Sequence, residues 1–119
     1  MTQTALTREQ VLALRPGNNL DLIVAIEVMG HEAGEFKDGW IKLGPKFEGC
    51  PKRYSTDMSA VWEVVSAMSK KKWNFVASTE GEDWEATFYW DANRTSFEAN
   101  GIRAAEAICK AALLAVLDL

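Results

Sequence analysis

Tyr54, Ser55, Thr56 and Asp57 put an aromatic ring, two hydroxyls and a carboxylate on four successive residues, just ahead of Val61, Val64, Val65 and Met68, which recur at helical spacing. A helix is expected to begin here, and the first turn of a helix leaves N–H groups with no intrahelical partner. Two chemistries follow. Ser55, Thr56 or Asp57 can cap those N–H groups, Asp57 with the added support of the helix dipole. Alternatively, the N–H groups and hydroxyls can hold a phosphate or another anion. Asp57 opposes the second arrangement, because its carboxylate competes for the same donors and repels the anion, unless it binds a sugar hydroxyl or a base amino group instead. Capping is the first reading and ligand recognition the second.

The other reactive residue types are sparse. His31 is the sole histidine, and Glu27, Glu32 and Glu35 near it make a weak metal-binding pattern, so a surface or turn role is expected and no metal. A histidine-dependent relay would have to use that one residue. Cys50 stands beside a proline in a loop, whereas Cys109 lies in an apolar helical run, where a thiol behaves as a small hydrophobe. Gly44-Pro45-Lys46 lacks the rest of a phosphate-cradling loop, and its proline removes an N–H that such a loop needs. Glu80, Glu82, Asp83 and Glu85 read as solvated charge at a turn, and Lys70-Lys71-Lys72 as charge suited to a helix C-terminus. No pair of carboxylates has a context that sets its separation, so neither catalysis nor a cofactor is expected.

The elements that would position these residues can be traced in order. Thr7-Arg8-Glu9-Gln10 has the form of a capping box ahead of Val11, Leu12 and Leu14 and predicts a short helix. Arg15-Pro16-Gly17-Asn18-Asn19 ends it, with Asn18 or Asn19 available to cap a second helix over Leu20 to Met29, closed by Gly30. Val24 and Val28 leave a buried strand as the alternative for that run. From His31 to Arg53 glycine and proline punctuate the chain, and only Trp40-Ile41-Lys42-Leu43 reads as extended. A stretch of this length is either a binding loop or a surface insertion held by Trp40 and Phe47 packing on the core.

After the central helix, Trp73, Phe75 and Ala77 alternate with polar positions, as do Trp84, Ala86, Phe88 and Trp90, with a turn at Thr79 to Asp83 between them. An antiparallel hairpin is expected. Asp91 to Arg94 reads as a second polar turn and Thr95 to Glu98 as a short third strand. Ile102, Ala105, Cys109, Ala112, Leu113 and Val116 line one side of a last helix, with Arg103, Glu106 and Lys110 elsewhere. The sum is an α+β domain: a small antiparallel sheet covered by amphipathic helices in layers.

With 119 residues, 48% of them hydrophobic, the chain supports one modest core, and a single domain over 1–119 is expected. The net charge of −4 argues against broad nucleic-acid binding and favours small molecules or proteins as partners. The N-terminus does not read as a signal peptide, which points to a reducing compartment and two free thiols. No run approaches a membrane span.

Several segments in order resemble one family. These are Thr7-Arg8-Glu9-Gln10-Val11-Leu12-Ala13-Leu14-Arg15-Pro16-Gly17, the run from Leu20 to Gly30, Tyr54-Ser55-Thr56-Asp57 followed by Ala60-Val61-Trp62-Glu63-Val64-Val65, and Ile108-Cys109-Lys110-Ala111-Ala112-Leu113-Leu114-Ala115-Val116-Leu117. Together they resemble the phage alpha-beta-alpha sandwich family of small phage and prophage proteins. One departure is His31, where family members commonly carry tryptophan after the Met-Gly pair. The resemblance implies a sheet with helices on both sides, a phage origin, the host cytoplasm as location and no catalytic activity. By analogy of context it implies an accessory protein that sequesters a small nucleotide immune signal or, alternatively, inhibits a host defence enzyme by binding it. A structural accessory role is a third reading. In the nucleotide reading Tyr54 or Trp40 stacks on a base, Ser55, Thr56 and Asp57 bond polar groups, and Lys42, Lys46, Lys52 or Arg53 neutralises phosphate. A homo-oligomer is compatible with each reading.

Overall fold

The computed structural model describes residues 6–90 and 95–119, with Glu80 described by its backbone alone. The turn expected at Asp91 to Arg94 lies outside the described residues. The chain opens with α1 (Arg8–Ala13), and its capping box is complete: the Gln10 N–H donates to Thr7 Oγ1 at 3.1 Å and the Thr7 N–H to Gln10 Oε1 at 2.8 Å. α2 (Asn18–Glu27) is helical, not a strand. Gly17 is its N-cap at φ 145° and carries no side-chain cap, while Asn18 and Asn19 lie within the first turn instead of preceding it. Gly30 then takes the left-handed φ of 81° that reverses the chain, as its position after the helix suggests.

The 31–53 segment is more regular than its glycine and proline content indicates. It contains a second hairpin of β1 (Ile41–Gly44) and β2 (Phe47–Gly49), with a register irregularity between Lys42 and Gly44, and Ala33 bridges Ile41 on the other side. β2 was not expected, because three residues bounded by glycine carry no readable period. Asp57 is the N-cap of α3 (Met58–Lys70) and accepts from the Ser59 N–H at 2.9 Å. The inner face of α3 is Ala60, Val61, Val64 and Met68, all buried, while Trp62 is 51% exposed.

β3 (Asn74–Glu80), β4 (Asp83–Trp90) and β5 (Thr95–Gly101) form an antiparallel sheet in that spatial order. The β3–β4 turn has two residues, with Gly81 first at φ 65°, the position that a type II′ turn reserves for glycine. β5 runs three residues beyond the expected Glu98. The register stacks Phe75, Phe88 and Phe97 in one cross-strand row and Ala77, Ala86 and Ala99 in the next. Trp73 closes the row edge-on to Trp90 and Phe97, at 5.6 and 5.7 Å between ring centroids.

α4 (Ala104–Leu117) lies across β4 and β5, and α1, α2 and α3 pack onto α4. Every residue from Ala105 to Ala115 is buried, which the chain's alanines permit by letting neighbours approach closely. Glu106 and Lys110, expected to lie off the apolar side of this helix, are buried as well. They form a buried ion pair at 2.8 Å, and the Lys110 ammonium also donates to the Leu12 carbonyl at 3.0 Å, tying α4 to the end of α1. The result is an α+β fold of antiparallel sheets flanked by helices, in keeping with a layered alpha-beta-alpha layout. No helix among the described residues is long and apolar enough to cross a membrane.

Candidate functional site

The Tyr54–Asp57 stretch divides between core and surface. Tyr54 is 1% exposed, with its ring inside the core cluster. Burial raises its phenol pKa, the nearby Glu63 carboxylate adds to the effect, and Lys52 acts against it. Ser55 is fully buried, and its hydroxyl donates to Asp21 Oδ1 at 2.6 Å while accepting from the Gly17 N–H at 2.9 Å. The Ser55 N–H also reaches Asp21 Oδ1, at 2.8 Å. The buried carboxylate of α2 therefore holds the approach to α3, and these groups are hydrogen-bonded to one another. Thr56 is exposed, and Asp57 is committed to its cap. Lys52 pairs with Glu63 at 2.7 Å on the surface, and Arg53 is exposed.

A groove of about 560 Å³ opens between the 30–36 loop and the β1–β2 hairpin. It brings together Lys42 and Lys46 from the expected set with three residues outside that set, Phe36, Leu43 and Phe47. These three are 75%, 59% and 72% exposed. Phe47 therefore does not anchor the loop to the core. The hairpin presents Leu43, Lys46 and Phe47, and a buried Ile41 roots β1.

The loop wall is held by one carboxylate. Both Glu48 oxygens accept from the Glu35 N–H, at 2.9 and 2.8 Å, and Oε1 also accepts from the Phe36 N–H at 2.9 Å. A Cβ on Gly34 would run into that carboxylate and approach the Trp40 carbonyl oxygen to 3.0 Å, so glycine is the residue that lets the loop close. The Lys42 ammonium lies 3.3 Å from Glu35 and 3.5 Å from Glu32, and the hydrogen bond to Glu35 raises its pKa. Lys37 covers the half-buried Trp40 ring at 5.4 Å.

The expected site residues therefore do not converge. Lys42 and Lys46 line the groove, Trp40 lies at the base of β1, and Tyr54 and Ser55 are buried. Isolated phenylalanines among glycines and charges, as at Phe36 and Phe47, were the available signal for the groove. Among the described residues no group of three or more His, Cys, Asp or Glu side chains is arranged to hold a metal. The two cysteines are unpaired, Cys50 exposed and Cys109 buried. A smaller hollow of about 120 Å³ between Asp83, Trp84, Glu85 and Asn100 lies at the far end of the sheet.

A family model described as the phage ABA sandwich domain matches residues 22–113, well over half of the chain. No curated protein matches the sequence. Among solved structures, the fold is similar to a phage protein from Bacillus cereus ATCC 14579 determined at 2.0 Å, with a TM-score of 0.70 and 19% identity over 85% of this chain and 91% of that one. At that identity the likeness carries the fold alone.

Proposed function

Since this chain belongs to the phage ABA sandwich domain family, we propose that it is a non-enzymatic phage accessory protein, one domain over 1–119, that acts in the host cytoplasm by binding another protein. The observation that carries this reading is the exposure of Phe36, Leu43 and Phe47 around one groove. Exposed apolar side chains clustered at a concave surface favour protein contact, and aromatic anchors surrounded by charge are the usual centre of such contacts. Lys42, Lys46 and Glu35 supply the polar surround. A host defence enzyme fits as the target.

The second reading, capture of a small nucleotide, moves to the same groove. There a base would stack on Phe36 or Phe47 and Lys46 would meet phosphate, with Tyr54 and Ser55 contributing only to the scaffold.

Purification of the tagged protein and of a Phe36→Ser, Phe47→Ser double variant from host cells separates the two. One stoichiometric host protein retained by the parent and lost by the variant is the expected result. No such protein, or equal retention by both, overturns it. Saturable nucleotide binding at submillimolar concentration, lost in Lys46→Ala, would assign the groove to nucleotides instead.

A further inference from the structure

Among the described residues β3 is an edge strand, with β4 as its one neighbouring strand. Its register with β4 runs unbroken from Asn74 to Glu80, with no bulge, and it contains no proline, lysine or arginine. Glu80, its one charged residue, stands at the far end. Edges of this kind are normally blunted by charge, proline or a bulge, because an unprotected edge pairs with another strand. Here Val76, Ala77, Ser78 and Thr79 are all exposed. The opposite edge, β5, differs: Glu98 stands in mid-strand and α4 lies over it.

The helix-facing side of β3 is also incomplete. α4 buries Ala86 and Ala99 but leaves Ala77 of the same cross-strand row exposed. In the next row Thr79 is exposed and Trp84 is 37% exposed. α3 covers only the Phe75 end, where Trp62 meets Phe75 edge-on at 6.4 Å between centroids and keeps 51% of its surface in solvent.

We infer that β3 pairs antiparallel with β3 of a second copy about a two-fold axis through Ala77, making one six-stranded sheet. An axis perpendicular to the sheet preserves its faces, so paired residues share parity: Ala77 opposes the partner's Ala77, Phe75 opposes the partner's Thr79, and Val76 opposes the partner's Ser78. The small Ala77 pair clears the seam. The Trp62 that overhangs Phe75 then lies above the partner's Thr79, toward the partner's Trp84, and the symmetric contact repeats at the other end. The exposed tryptophan of one copy thus covers the uncovered floor of the other, which is the self-complementarity an isologous interface requires. The interface is separate from the groove.

The test is disulfide mapping in a Cys50→Ser background. Directly opposed Cα atoms lie about 5 Å apart, within disulfide reach. Ala77→Cys should therefore cross-link to a covalent dimer under mild oxidation. Val76→Cys and Ser78→Cys should each cross-link poorly alone and efficiently when mixed. Trp62→Ser should weaken dimerisation roughly tenfold or more in sedimentation equilibrium. A monomer at submillimolar concentration, or cross-linking no faster at position 77 than at 78 alone, overturns the inference.

Discussion

Ser55 and Cys109 show how much a single buried polar atom can decide. The Ser55 hydroxyl ties Gly17 and Asp21 to the segment entering α3, and all of its partners lie more than thirty residues away in the chain. Ser55→Ala would leave Asp21 with one fewer donor in a buried setting and is expected to cost about 1–3 kcal/mol in urea denaturation. Thr56→Ala, at an exposed neighbour, should change stability far less. At Cys109, burial pushes the thiol well above its ordinary 9.0, with the Asp21 and Glu106 carboxylates adding to the shift. The unfolded chain therefore loses this proton before the folded one. Stability from this site is intact below about pH 9 and falls above it, by on the order of 1 kcal/mol per pH unit. Tyr54 acts in the same sense from about pH 10. Denaturant midpoints across pH 8–11 should slope downward in the parent and less steeply in Cys109→Ala. That the Ser55 hydroxyl would bond Asp21 and leave α3 to Asp57 was not legible from its position, because Ser55, Thr56 and Asp57 all suit the helix end by type.

At the scale of elements, α4 is the member on which the others rest. Its apolar stripe was readable, but nothing in the spacing of its two internal charges, placed off that stripe, showed that they are buried. The structure surrounds α4 with the sheet and the three other helices, so Glu106 and Lys110 pair with each other, the Ile102 N–H donates to Glu106 at 3.2 Å, and Lys110 caps the Leu12 carbonyl. An i, i+4 pair of this sign fits a surface helix as well as a buried one. Lys110→Met would strand a buried carboxylate and is expected to lower stability by about 3–5 kcal/mol, whereas Glu106→Leu combined with Lys110→Met should recover most of that loss. Thermal and urea unfolding of the single and double variants would show it. The β1–β2 hairpin makes the opposite case. Its strands are too short to declare a period, and its loop wall depends on Glu48 meeting amides that a linear reading cannot bring near it.

For the molecule as a whole, the groove around Phe36 and Phe47 and the β3 edge with Trp62 carry apolar area that the fold does not need. Side chains so exposed contribute little to folding. The Phe36→Ser, Phe47→Ser variant should accordingly stay within about 0.5 kcal/mol of the parent in urea unfolding while losing its partner. A large loss of stability would mean that the phenylalanines serve the scaffold instead.

The sequence by itself determined the α+β class, the capping box, a polar cap drawn from Ser55 to Asp57, the alternation of β3 and β4, and the family resemblance that the domain match bears out. Each of these depends on residues close together in the chain, where spacing and side-chain type act directly. Only the tertiary structure decided that Tyr54 and Ser55 face inward, that an ion pair lies inside α4's contacts, and that Phe36 and Phe47 share a groove. Those outcomes depend on which distant segments meet, and burial is a property of the meeting, not of the residue.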